Sequence, residues 1–315
     1  MTGVFSYLVF FLCMVLIFGI VTLGLNLQWG FTGLFNAGIV GFYAIGAYTH
    51  AILTAPPQPQ FLGNFGLPFA VGVLAAMAAT AAAAWVIGML TIRLRGDYLA
   101  IASFGIAVSI QLVTLNWEPL TGGAQGLSRI PRPLAQVFDS PLGFNLWYLG
   151  LLAALVGLIY VALERILRSP WGRVLRAIRE DETAAVALGK SARRFRVEAF
   201  VLGATLMGLA GALYVSFIGF VSPFDFLPIV TFQVWAMLIV GGSGNNRGAL
   251  LGALVVWGIW AASGALVTKL VPPAHAAQGA AVQVVLIGLA LVLVLLFRPR
   301  GLVGEAAVVS RHADH

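Results

Sequence analysis

Few side chains in this sequence can do chemistry, and most of them lie together. Only 18 Lys and Arg, 11 Asp and Glu, four His and one Cys are spread over 315 residues, and nine of the basic ones fall between Arg165 and Arg196. That run passes from Ser169-Pro170-Trp171-Gly172-Arg173 through Glu180-Asp181-Glu182-Thr183-Ala184-Ala185-Val186-Ala187-Leu188-Gly189-Lys190. Val174, Ile178, Ala185 and Leu188 fall near helical spacing. Glu180, Asp181 and Glu182 precede Ala184-Ala185 as acids precede a helix, where the peptide dipoles favour negative charge. Gly189 is the expected stop residue. The spacing predicts a short amphipathic helix ending at Gly189, with Arg173 and Arg176 on the approach to it. Two roles suit it. A basic amphipathic helix can lie on lipid headgroups, and small residues such as Ala184, Ala185 and Ala187 let a helix seat deeply in a partner's groove.

Elsewhere the polar groups are sparse and uncharged. Ser103, Ser109 and Gln111, and further on Thr231 and Gln233, either line a weakly polar path or bond one helix to another. His50 ends an apolar run and reads as an interfacial hydrogen bonder. No Asp/Glu/His chain is available for a proton relay, and no HExxH or Ser/His constellation appears, so catalysis by this chain is not expected. Gly242-Ser243-Gly244-Asn245-Asn246-Arg247-Gly248 lacks the Lys-Ser/Thr pair that holds phosphate and Mg²⁺ in a P-loop. No metal site or bound cofactor is expected. Cys13 is the single cysteine, which excludes a disulfide framework and a thiolate metal site.

The elements that must position these residues are membrane helices. The chain is 60% hydrophobic and 9% charged, with mean hydropathy +0.97, whereas soluble domains carry about 25% charged residues. A span needs about 20 apolar residues. Nine segments qualify as candidates, near 4–25, 36–55, 66–92, 98–116, 145–167, 198–220, 228–241, 248–268 and 280–297. The expected fold is therefore all-α, a polytopic transmembrane bundle of about nine spans (eight to ten), forming one domain over 1–315 with loops at 117–145 and 168–197. The first segment has no basic residue before it, and Asn26-Leu27-Gln28-Trp29 is no small-residue cleavage site, so it reads as a span and not a signal peptide. The segment 228–241 is short and ends in a glycine-rich stretch, either a turn or a broken helix lining a cavity.

With nine spans, every Lys and Arg except Arg129, Arg132 and Lys269 falls on one side. The positive-inside rule makes that side cytoplasmic, with the N-terminus outside and the C-terminus inside. The same asymmetry accounts for the net charge of +7 without nucleic acid, which is not an expected partner; membrane lipid is. The outer loop 117–145 carries Glu118, Arg129, Arg132 and Asp139, either a docking surface for a soluble protein or an ordinary wet loop. Small residues recur at four-residue spacing at Gly33, Ala37 and Gly41, at Ala204, Gly208 and Ala212, and at Gly248 and Gly252, as at close helix seams.

The acidic residue, Ala-Ala and following Gly resemble the EAA-type coupling loop of bacterial ATP-binding-cassette importer permeases. Gly96-Asp97-Tyr98-Leu99-Ala100-Ile101, Thr121-Gly122-Gly123-Ala124-Gln125-Gly126-Leu127, Gly172-Arg173-Val174-Leu175-Arg176-Ala177-Ile178-Arg179-Glu180-Asp181-Glu182 and Gly208-Leu209-Ala210-Gly211-Ala212-Leu213-Tyr214 resemble the LivM-type subunits of branched-chain amino acid importers. Thr183 separates Glu182 from Ala184-Ala185, which leaves open which acid stands for the EAA glutamate. The resemblance implies a type II-like permease fold in a bacterial inner membrane, with the N-terminus and loop 117–145 periplasmic. It implies partners: a LivH-type second permease, two LivG/LivF-type ATPases that use ATP and Mg²⁺, and a periplasmic binding protein. The solute would be a branched-chain or related amino acid, or an amide- or urea-like molecule. An ATP-independent carrier or channel is the alternative.

Overall fold

The computed structural model describes residues 2–94, 96–138, 140–270, 276–298 and 300–305. All nine apolar segments are helices: α1 Thr2–Leu25, α2 Ile39–Thr54, α3 Phe69–Thr91, α4 Asp97–Asn116, and, after the one-turn α5 Glu118–Thr121, α6 Pro141–Arg168. The short α7 Pro170–Glu180 and α8 Glu182–Ala187 follow, then α9 Ala192–Ile218, α10 Pro228–Gly241, α11 Asn246–Leu270 and α12 Ala276–Phe297. Among the described residues, six helices are long and apolar enough to cross a membrane by length and composition, while α2 and α10 are shorter apolar helices. The boundary at 117–145 moves, because α6 already begins at Pro141, and α9 begins at Ala192, inside the run assigned to the loop 168–197.

Burial separates inner helices, among them the short α2 and α10, from an outer layer. In α1 and α9, 72% and 67% of the apolar window is buried, against 22% in each of α3, α4, α6 and α11. Lipid is as apolar as leucine, so apolar burial alone gives no reason for α9 to be central; close packing does. Glycine supplies it. A Cβ on Gly208 would collide with the Thr80 side chain of α3, and one on Gly46 of α2 would strike the Gly208 backbone. Gly24 of α1 and Gly203 of α9 meet in the same way, carbonyl to Cα. Backbones this close gain dispersion and Cα–H···O contacts that lipid cannot match. Tyr148 of α6 completes the ring by donating to the Leu213 carbonyl at 2.7 Å while stacking on Phe217.

The predicted seam at Gly33, Ala37 and Gly41 is not a helix face, because α2 begins only at Ile39 and Gly33 sits in a turn at φ +72°. The glycine-rich stretch after α10 is a turn into α11, and Gly241 and Gly248 pack backbone to backbone across it. The C-terminal segment Arg300–Glu305 covers this turn, with the Leu302 and Val303 amides donating to the carbonyls of Val240 and Gly241, each at 2.9 Å.

The opposite end of the bundle is closed by loops. Leu127 and Ser128 form an antiparallel pair with Val221 and Phe220. Ser222 and Asp225 form a reciprocal capping box on the 3₁₀ turn Pro223–Phe226 that leads into α10. Burial raises the Asp225 carboxyl above its ordinary range, partly offset by the Ser222 amide and the Tyr214 hydroxyl that bond it.

Replacing Gly208 by Leu would force α2, α3 and α9 apart, beyond the roughly 1–3 kcal/mol typical of overpacking. The expected outcome is a lower melting temperature and loss of the monodisperse peak in fluorescence-detected gel filtration, whereas Gly288→Leu, with nothing within 4 Å of its added Cβ, leaves both unchanged.

Candidate functional site

The basic run folds as two helices, not one. α7 ends at Glu180 because the backbone turns extended at Asp181 (φ −149°, ψ 101°), and the Asp181 carboxylate accepts from the Ala184 amide at 3.0 Å to start α8. The acids before Ala184 do open a helix, but it is the second one, and Asp181 is its cap. Gly189 follows α8 at φ +76°, a conformation that glycine adopts without strain.

One face of this pair is fastened to the bundle. Leu175 and Ile178 of α7 are buried, and Ile178 packs with Ala185 and Ala192. Trp171 Nε1 donates to Glu198 of α9 at 2.8 Å, and Arg176 donates to the Leu167 carbonyl at the end of α6 at 3.1 Å. Glu182 pairs with Arg196 at 2.9 Å, which joins α8 to α9. The other face is open. Arg173, Glu180 and Ala184 are exposed, as are Val186 and Leu188, the last at 80%. Ala185, expected at a docking face, instead faces inward.

The second feature is a break inside the bundle. α1 passes through a π-helical turn, Asn26–Gly30, and the chain then runs irregularly to Gly38 before α2 starts. Such backbone is tolerated among hydrophobic helices only where its polar groups are paired. Asn26 donates to Asn246 at 2.9 Å and accepts from the Gly244 amide at 2.8 Å, while Asn246 donates to Glu164 of α6. Gln28 donates to the Phe200 carbonyl and accepts from Asn36, both at 2.8 Å, and Trp235 donates to the Asn36 carbonyl at 3.0 Å. The freed amides at the start of α2 reach Ser103 of α4 (from Ala37, 2.9 Å) and Thr231 of α10 (from Val40, 3.3 Å). The rings of Trp29, Phe35 and Trp235 cluster beside it, Phe35 stacked on Trp235 at 4.3 Å.

Ser103 and Thr231 therefore meet at one place, but as buried partners of the broken backbone and not as a lining. Gln233 is also buried, its amide nitrogen without a hydrogen-bond partner among the described residues. Gln111 is half-buried on the α4 face that carries Thr114. Ser109 is a correction: it is exposed on the far face of α4, its hydroxyl turned back to the Gly105 carbonyl at 2.8 Å.

Arg179 joins the two features. Its guanidinium donates to the Gly30 carbonyl at the end of the π turn and pairs with Glu305 at 3.0 Å and Glu180 at 3.8 Å, with its stem against Gly33. Sequence reading did not single out Arg179, Asn26, Gln28, Asn36 or Glu305. The signal available for three of them was two Asn and a Gln within eleven otherwise nearly apolar residues.

At the opposite end, Arg129 and Arg132 line one cleft of about 930 Å³ with Pro57, Phe69 and Trp147. Arg132 also donates to the Ile218 carbonyl at 3.0 Å and lies over the Phe144 ring. Glu118 lines a different cleft with Gln60 and Gln125. Asp139 lies outside the described residues.

A lipid-soluble bundle with a helix broken at its interior, and a partly uncovered pair of helices tied to that break, has the build of a membrane permease. The chain belongs to the family described as branched-chain amino acid transport system / permease component, whose model matches residues 7–295. It is 35% identical over 264 residues to the high-affinity branched-chain amino acid transport system permease protein LivM of Escherichia coli (strain K12), covering 76% of this chain and 60% of that protein. It is 27% identical over 328 residues to a probable branched-chain amino acid transport permease protein LivM of Methanocaldococcus jannaschii, covering 92% and 91%. To the permease protein LivH of E. coli K12 it is 24% identical over 306 residues, covering 92% of each. The chain spans 60% of the length of the bacterial LivM relative. No solved structure matches it.

If Arg179 links the helical pair to the break, Arg179→Ala should lower solute transport by the roughly tenfold typical of a lost coupling contact. Insertion and melting temperature should stay near wild type. Glu305→Gln should have a smaller effect in the same uptake assay, because the bond to the Gly30 carbonyl survives.

Proposed function

We propose that this chain is one permease subunit of an ATP-driven importer for branched-chain or related amino acids, pairing with a LivH-type permease. Two cytoplasmic ATPases of the LivG/LivF type would hydrolyse ATP with Mg²⁺, and a periplasmic binding protein would deliver the solute. The observation that carries this reading is the α7–α8 pair: rigidly strapped on one face, uncovered on the other, and connected through Arg179 to backbone that is broken inside the bundle. A motor pushing on α8 would act on the Gly30–Gly38 segment through the turn at Asp181, α7 and Arg179.

The positive-inside rule supports the orientation. Arg93, Arg165, Arg173, Arg194, Arg247 and Arg298 all lie at the end that carries α7 and α8, which becomes the cytoplasmic end. The end bearing Arg129, Arg132 and Glu118 then faces the periplasm, where these residues are available to a binding protein. The solute path would pass on the side of the break where Phe35, Phe104 and Phe232 gather, Phe35 and Phe232 being 37% and 59% exposed. Apolar walls suit an aliphatic side chain in transient passage. Selectivity would rest with the binding protein.

Leu188→Asp and Ala184→Asp place a charge on the open face of α8 without entering its packed side. With the two ATPases co-expressed, each should abolish co-purification and reduce uptake at least about tenfold while the permease still inserts. Normal uptake and intact assembly in both variants would reject docking at α8.

A further inference from the structure

We propose that the groove between α3, the start of α7 and the start of α9 binds one anionic glycerophospholipid of the cytoplasmic leaflet. The assignment to that leaflet rests on the orientation proposed above. The groove encloses about 650 Å³. Its mouth carries Ser191, Arg193 and Arg194, and its deep end Trp85, Val201 and Leu202. From Arg193 to Leu202 the helix rises about 13 Å, enough to pass from headgroup level into the acyl layer. Polar mouth and apolar floor thus follow the polarity of a lipid standing in its leaflet.

The charges at the mouth favour an anion. Glu198 is the acid in the groove, and both its oxygens are engaged, one by Arg194 Nε and the other by Trp171 Nε1, each at 2.8 Å. This holds Arg194 with its terminal nitrogens outward on a side chain 78% exposed. Arg193 leans its Nη2 on Met89 Sδ at 3.6 Å, and no carboxylate among the described residues pairs with it. Two guanidiniums at one mouth suit a phosphodiester, which accepts their forked donors. Basic pockets between helices on the cytoplasmic side are where such headgroups bind. A soluble protein is a poor occupant, because the groove opens onto the α3 face that bears Trp85, 55% exposed, and Met89, 37% exposed, a surface only hydrocarbon or another membrane helix can cover.

The test uses the assembled transporter in nanodiscs of equal phosphatidylglycerol and phosphatidylcholine, released into native mass spectrometry. The expected result is retention of one phosphatidylglycerol with roughly thirtyfold preference, the order two arginines supply at a charged surface, and loss of that preference in Arg193→Gln/Arg194→Gln. If the double variant does not fold, Leu202→Trp, which fills the apolar end and leaves both arginines, should expel the lipid as well. Equal retention of the two lipids by the wild type, or undiminished preference in either variant, would overturn the site. So would a disulfide from Met89→Cys to a cysteine in the second permease, which would show a protein helix in the groove. A cysteine at Leu188 labelled from outside sealed cells would instead defeat the orientation and the importer reading, leaving lipid retention unaffected.

Discussion

Between Asn26 and Gly38 the chain abandons the helix while still among buried apolar side chains, and each polar group freed there has to find its partner inside the protein. Hydrocarbon offers none, and an unpaired buried amide costs on the order of 1–3 kcal/mol. The surrounding structure follows from that requirement. Asn26 draws in the α10–α11 turn and, through Asn246, Glu164 of α6. Gln28 and Asn36 reach α9 and α10. Ser103 and Thr231 close the amides that open α2. A break in one helix has become the joint at which α1, α2, α4, α6, α9 and α10 are tied together.

Two kinds of interface meet at that joint. Along α9 the closest contacts run through Gly24, Gly46, Gly203 and Gly208, backbone against backbone or, at Gly208, against the Thr80 side chain. Around the break they are hydrogen bonds made by side chains. Arg179 touches the second kind: its guanidinium lies on the Gly30 carbonyl and its stem on Gly33, whose missing Cβ leaves room for it.

The helices were legible in the sequence because a membrane span advertises itself by length and hydropathy, properties of a single continuous segment. The short 228–241 was open between a turn and a broken helix, because length and hydropathy do not say where the chain goes after Gly241. The division of α7 from α8 was harder to see. Glu180, Asp181 and Glu182 look alike in sequence, and only the extended backbone at Asp181 shows which one caps. The break was less legible still, since Asn26 finds its partners more than 200 residues away. The path candidates illustrate the limit. Ser103 and Thr231 converge, but on main-chain amides, while Ser109, six residues along the same helix from Ser103, faces outward because that offset carries it to another side.

Leu188 stands 80% exposed at the tip of α8, and a leucine in water forgoes about 1.5–3 kcal/mol of burial. With Val186 beside it, also exposed, that leucine gives the outer face of α8 an apolar tip. An apolar tip of that kind adheres to whatever apolar surface it meets, so leaving it bare is a liability for solubility as well as an opening for recognition.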